Sequence, residues 1–277
     1  MSAYFLADET KLWIVTEAAD DHGRRAATTF LLPLICSIVT QDGMFIDFAA
    51  AAAINVVFGL AIAGATRRFK RELKPRDGFL LVTLSWVLMS ASAVIPLLIA
   101  LPDLSFTDAY FETVSGLTTT GSTVLTGLDA LPPSVNLWRS ALHWFGGLGI
   151  IVLAVAVLPL LGVGGMQVYK AESPGPVKDE KLTPRITQTA KALWLVYTGI
   201  TAAGAIALHA AGMTWLDAIC HAFSAIGLGG FSTHDSGIGY YNSAAVEFVL
   251  ILIMLIACMN FSRHFMAVQK LSFAPYL

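Results

Sequence analysis

Two stretches decide how this chain is read: Thr107–Gly121, TDAYFETVSGLTTTG, and Leu216–Gly230, LDAICHAFSAIGLGG. At an offset of 109 residues they share four identities without a gap: Asp108/Asp217, Ala109/Ala218, Ser115/Ser224 and Gly121/Gly230. Val114/Phe223 and Leu117/Ile226 agree in character. Four identities in fifteen positions are a weak signal alone. They gain weight because each copy follows one long apolar stretch and precedes another, as a repeated supersecondary unit does.

Each copy opens on a helix-start signal. Ser105 stands three residues before Asp108, and Thr214 three before Asp217, close to a capping box. The apolar run that follows predicts a helix of ~12 residues, ~18 Å long, which reaches mid-membrane without crossing. Each copy then ends in residues that no helix favours, Thr118–Thr123 (TTTGST) and Gly227–Thr233 (GLGGFST). The predicted unit is helix, half-helix, extended return, helix.

The surroundings make this a membrane unit. Of the 277 residues, 56% are hydrophobic and 13% charged, and mean hydropathy is +0.70; soluble domains carry about 25% charged residues. Five apolar stretches, Phe45–Ala65, Phe79–Leu101, Leu137–Leu161, Ala190–Ala211 and Ala244–Asn260, are read as spans of a ~30 Å hydrocarbon core. Ala26–Thr40 is counted as a sixth, short one, because the charge pattern needs a crossing there. Basic residues cluster at 67–76 (Arg67, Arg68, Lys70, Arg71, Lys74, Arg76) and 167–191 (Lys170, Lys178, Lys181, Arg185, Lys191). Connections 102–136 and 212–243 have neither Lys nor Arg. The positive-inside rule puts the basic loops in the cytoplasm and the other two outside, with Trp138 and Trp215 near the outer interface. The net charge of -2 gives no reason to expect nucleic acid as a partner. Cys36, Cys220 and Cys258 lie in apolar runs without metal-site spacing and read as small buried hydrophobes.

Irregular backbone at membrane depth is tolerated where it lines a watery path or is buried in protein. A half-helix entering from outside points its partially negative C-terminus inward, and extended backbone rich in small residues offers carbonyl oxygens that replace a cation's hydration shell. The outer connections add Asp103, Asp108, Glu112, Asp129, Asp217 and Asp235, which would attract cations. The candidate selectivity filter is therefore Thr118, Thr119, Thr120, Gly121 and Ser122 in the first copy, and Gly227, Leu228, Gly229, Gly230 and Phe231 in the second. Asp108 and Asp217 read as helix caps before ion ligands. Glu112 and His221, aligned across the repeat, read as structural or mouth-lining. Gly146, Gly147 and Gly149 read as close-packing sites, and His143 and His209 as buried or interfacial. Gly162–Gly165 (GVGG) follows a membrane helix rather than a strand, so a dinucleotide site is not expected. No hydrolase or Walker motif is present, and no enzyme activity is expected.

At these residues the chain resembles the Trk/Ktr/HKT potassium transporter superfamily, in its TrkH/TrkG type. SGLTTTGS, from Ser115 to Ser122, is similar to the first filter of that family, and GGFSTHD, from Gly229 to Asp235, to the second. Trp144–Pro159, Gly162–Gln167 and Pro174–Lys178 are similar as well, and the likeness runs from about Phe30 to the C-terminus. The resemblance implies an all-α membrane protein of helix–pore-loop–helix repeats, two of the family's four, preceded by two extra transmembrane helices. It implies potassium uptake across a bacterial inner membrane, with potassium as substrate held by the backbone carbonyls of Thr119, Thr120, Gly121, Leu228, Gly229 and Gly230. Filter glycines go with potassium preference in that family, and Gly121 and Gly230 stand at those positions. It further implies a homodimer in the lipid bilayer, a cytosolic nucleotide-binding regulatory subunit, cytoplasmic termini and no covalently bound cofactor.

The expected division is a polar tail 1–25; two membrane helices and a basic cytoplasmic loop, 26–78; a first helix–pore–helix repeat, 79–166; a cytoplasmic loop, 167–189; a second repeat, 190–265; and a cytoplasmic tail, 266–277. Repeats three and four of the family are not in this chain, and residues 1–25 do not resemble the family's first helix. The expectation is an N-terminal half, from a truncated or misstarted reading frame. A non-conducting remnant or assembly partner stays open as the alternative. A secondary transporter is less favoured, because both half-helices enter from the same side and the repeat is not inverted.

Overall fold

The computed structural model describes residues 29–66, 75–152 and 182–270, with 272 and 274. The expected tail 1–25, most of the two basic loops, the Gly162–Gly165 stretch and Pro174–Lys178 lie outside the described residues. Among the described residues the chain is helical and has no β-strand. The chain divides into two compact units, one running to Leu117 and including Ser122–Arg139, the other made of Thr118–Gly121 and the chain from Ser140.

In the first unit, α1 (Leu31–Thr40), α2 (Phe45–Thr66), α3 (Pro75–Ala100) and α4 (Phe106–Leu117) pack in sequence order, joined by the start of α5 (Pro133–Val152). Helix α3 begins four residues earlier than its apolar run, on Pro75, whose missing N–H costs nothing at a first helical position. Asn55 of α2 donates from Nδ2 to its own Ala51 carbonyl (2.9 Å) and to Ser92 of α3 (3.4 Å), so the buried amide is satisfied within and between helices. Helix α1 ends on Gln41 in the left-handed region. Asp42 follows and takes hydrogen bonds from Ser37 Oγ (2.5 Å), Met44 N (3.1 Å) and Ser134 N (2.9 Å). Burial raises the Asp42 carboxyl's pKa, but the bonds from Ser134 and Ser37 outweigh it and hold the group below the usual carboxylate range.

Trp138 faces protein on all sides. It is buried, its indole N–H donates to the Ala93 carbonyl (3.2 Å), and its ring stacks on Phe30 at 4.8 Å. The Ala93 carbonyl satisfies the indole N–H, as a buried tryptophan requires. Trp215 is exposed and stacks on His209 at 3.9 Å.

In the second unit, α6 (Leu182–Ala210), α7 (Trp215–Ile226), α8 (Ala244–Cys258) and α9 (Phe261–Lys270) pack with the C-terminal part of α5. Helix α6 begins eight residues before its apolar run, and α9 continues past the expected end of the second repeat. Trp144 organises the core: its Nε1 donates to Thr201 Oγ1 (3.1 Å), its carbonyl accepts from the Tyr197 hydroxyl (3.1 Å), and its ring stacks on Phe223 at 5.1 Å. Cys36 and Cys220 are buried as expected, but Cys258 is exposed. It lies off the buried stripe of α8, which runs through Val246, Leu250, Ile253 and Ala257.

Both units turn large apolar side chains outward. Leu60 is 68% exposed, Leu195 75%, Ile206 60% and Phe248 67%. Thr83–Ala100 and Lys191–Ala210 are long and apolar enough to cross a bilayer, and shorter apolar helices flank them. Helices with apolar outer faces belong in lipid rather than water.

Candidate functional site

Helices α4 and α7 are each 12 residues long and start as the sequence predicts. The Asp108 amide donates to Ser105 Oγ (3.1 Å) while the serine hydroxyl donates to Asp108 Oδ2 (2.7 Å). Thr214 and Asp217 repeat the arrangement at 3.2 and 2.7 Å. Ser105 and Thr214 are thus the capping residues, and each aspartate orients the cap hydroxyl from the first turn. Asp217 also accepts from Thr233 Oγ1 at 2.7 Å and lies 3.6 Å from His234 Nε2.

The segments that follow share one backbone signature. Thr119 and Leu228, which align in the repeat, both have φ of 55°. Two residues on, Gly121 and Gly230 have φ of 77° and 101°. Positive φ is uncommon outside glycine, so its recurrence at the same two places of both copies is a designed conformation rather than a loop accident. Leu228 is exposed, and where α7 ends its amide donates to the Ala225 carbonyl (3.1 Å) and the Gly229 amide to the Ser224 carbonyl (2.9 Å).

Thr118–Gly121 and Gly227–Phe231 come together within the second unit; Ser122 belongs to the first. A Cβ added to Gly121 would fall on the carbonyl oxygen of Gly229. The loop of the second copy is seated on α5. A Cβ on Gly229 would run into the His143 ring, one on Gly227 would lie 2.7 Å from the His143 carbonyl oxygen, and one on Gly147 would lie 2.9 Å from the Gly227 Cα. Gly147 is therefore the close-packing glycine the sequence suggested, and Gly227 and Gly229 are required by the same approach. His143 is fully buried, stacks on Phe231 at 4.1 Å and pairs through Nδ1 with Ser224 Oγ (3.1 Å). Ser224 Oγ also accepts from the Gly230 amide at 3.0 Å. Because Phe231 buries its ring, it offers only main-chain atoms to a ligand.

Glu112 is not a mouth-lining acid. It is fully buried and accepts from Arg139 Nε at 2.8 Å. Of the six acids counted at the outer connections, Asp103, Asp108, Asp129 and Asp235 are exposed, whereas Glu112 and Asp217 are buried and hydrogen-bonded. Sequence reasoning passed over Arg139 altogether. A lone arginine inside the apolar run Leu137–Leu161 was the available signal, since a charge at membrane depth is retained only with a partner. Among the described residues no cluster of His, Cys, Asp and Glu could hold a metal ion.

Capped 12-residue helices, apolar outer faces and paired glycine loops are the features of a helical membrane protein. Residues 46–276 match the TrkH family of cation transport proteins, and the chain belongs to that family. It is 50% identical over 242 residues to the Trk system potassium uptake protein TrkH of Vibrio parahaemolyticus, covering 87% of this chain and 50% of the relative. It is 46% identical over 249 residues to the TrkH protein of Escherichia coli, covering 90% and 52%. The crystal structure of the potassium transporter TrkH from Vibrio parahaemolyticus superposes with a TM-score of 0.81 at 41% identity, over 94% of this chain and 52% of that one. The chain thus spans about half the length of the curated relatives it matches. A family of cation transport proteins agrees with the expectation that no enzyme is encoded.

Proposed function

We propose that this chain contributes two re-entrant pore loops to a potassium uptake pathway across the bacterial inner membrane. The carbonyls of Thr119, Thr120, Gly121, Leu228, Gly229 and Gly230 would replace the ion's hydration shell. The observation that carries this reading is the matched positive φ at Thr119/Gly121 and Leu228/Gly230, with Gly121 against the Gly229 carbonyl. Backbone that alternates positive and negative φ turns successive carbonyls toward one side, whereas an extended strand points them to opposite sides. The C-terminal ends of α4 and α7, at Leu117 and Ile226, add partial negative charge beside these segments.

The relatives are described as Trk system potassium uptake proteins, and potassium is the substrate proposed here. Phe45–Ala65, Phe79–Leu101, Leu137–Leu161, Ala190–Ala211 and Ala244–Asn260 are the proposed spans, with both basic loops cytoplasmic. A homodimer and a cytosolic nucleotide-binding regulatory subunit are the proposed partners.

Growth at limiting potassium tests the reading. A strain without potassium uptake should grow when it receives the full-length protein containing this chain, and Gly121→Ser should lower potassium-over-sodium preference in that assay. Normal growth and unchanged selectivity in the serine variant would remove the filter assignment. Rescue by residues 1–277 alone, compared with rescue by the full length, separates a self-sufficient pathway from an assembly partner.

A further inference from the structure

Glu112 is a completely buried carboxylate, and such a group persists only when charge and hydrogen bonds compensate it. Arg139 Nε supplies the charge at 2.8 Å. The remaining contacts come from neither helix. Thr123 Oγ1 lies 2.9 and 3.0 Å from the two carboxylate oxygens, and the Val124 amide donates at 3.1 Å. Arg139 Nη2 reaches the same Thr123 hydroxyl at 3.1 Å, while Nη1 donates to Asn136 Oδ1 at 3.2 Å. The ion pair therefore grips the return leg of the first loop, two and three residues after Gly121.

The second copy shows that the grip belongs to the position. His221 aligns with Glu112, Ser232 aligns with Thr123, and His221 Nε2 pairs with Ser232 Oγ at 3.1 Å. The His221 Nδ1 faces the Asp217 carbonyl at 2.8 Å, which makes Nδ1 the donor and Nε2 the acceptor from Ser232. The same helix position holds the same return-leg position in both copies, once through a buried ion pair and once through a neutral imidazole. A pair that served only to join α4 to α5 would have no reason to recur on the loop.

We propose that Glu112 and Arg139 are positioning residues: they clamp the Thr123–Val124 return leg, fix the Gly121 carbonyl, and so set the ion preference of the first loop. This rests on the pore-loop reading above. Charge-assisted bonds are shorter and stronger than neutral ones, so Glu112 holds Thr123 more firmly than His221 holds Ser232.

The test uses the full-length protein in lipid vesicles and two variants. Glu112→Gln removes the charge. Thr123→Val removes the bridging hydroxyl without stranding a buried charge, and stands in should the first variant fail to fold. Potassium-over-sodium flux should fall roughly tenfold or more in Glu112→Gln and several-fold in Thr123→Val, as misplacement by a fraction of an ångström does at a positioned site. Amide exchange across Val124–Leu125 should quicken roughly fivefold or more in both. Exchange as slow as in the unmodified protein would overturn the clamp, and quickened exchange with full selectivity would overturn its link to ion preference. A parent protein that shows no ion preference would instead defeat the pore-loop reading, and the exchange measurement would still decide the clamp.

Discussion

A Cβ on Gly121 would occupy the place of the Gly229 carbonyl oxygen, whereas one on Gly230 would meet nothing within 4 Å. Both glycines have positive φ. Alanine at either position carries the left-handed penalty of about 1–2 kcal/mol, but only Gly121→Ala must also displace the opposing loop. Gly121→Ala is expected to lower potassium uptake, normalised to protein in the membrane, by at least ten times more than Gly230→Ala does. Equal losses would mean that the two loops do not meet as described.

Gly147 faces the Tyr197 hydroxyl, which would lie 2.7 Å from an added Cβ, and the Gly227 Cα at 2.9 Å. Overpacking of this kind costs about 1–3 kcal/mol. Gly147→Ala is expected to lower thermal stability in detergent, and Tyr197→Phe, which removes the hydroxyl, to restore part of it. Strict additivity of the two changes would show that the sites do not touch.

Ser224 accepts from the Gly230 amide and pairs with His143. Ser224→Ala leaves the Gly230 amide and the buried His143 imidazole without this partner, at a cost of about 1 kcal/mol. Ser224→Thr keeps the hydroxyl. The alanine variant is expected to unfold at lower temperature and to lose ion preference, and the threonine variant to keep more of both.

Asp42 is held below the usual carboxylate range because hydrogen bonds from Ser134 and Ser37 outweigh its burial. Its stabilising contribution is present above the unfolded pKa of ~3.9 and is lost as pH falls through the lower folded value. Unfolding temperature in detergent should therefore drop on acidification below about pH 4, and Asp42→Asn should flatten that drop. An identical acid limb in the asparagine variant would assign the pH dependence to other carboxylates.

Much of the fold was legible because it is written in short-range chemistry. Half-helices of about 12 residues followed from run length and from the Ser105/Asp108 and Thr214/Asp217 spacing, and both appear with those caps. The glycines that end each loop were legible because positive φ admits few other residues. The burial of Trp138 was not legible, because its indole partner is the Ala93 carbonyl, 45 residues away, an acceptor that no local pattern announces. Glu112 was read as structural or mouth-lining, and its burial against Arg139, 27 residues downstream, decides for the structural role.

The sequence by itself determined membrane residence, the repeat and the positions at which each helix gives way to loop. These depend on composition, on hydrophobic run length and on neighbours within one helical turn. Only the tertiary structure decided that Gly121 abuts Gly229, that His143 seats the second loop, and that Arg139 with Glu112 holds the return of the first. These pairings join residues 27 to 108 positions apart. Such contacts come from close packing of helices around glycine surfaces and from the need to satisfy every buried polar group, which periodicity along one chain does not express.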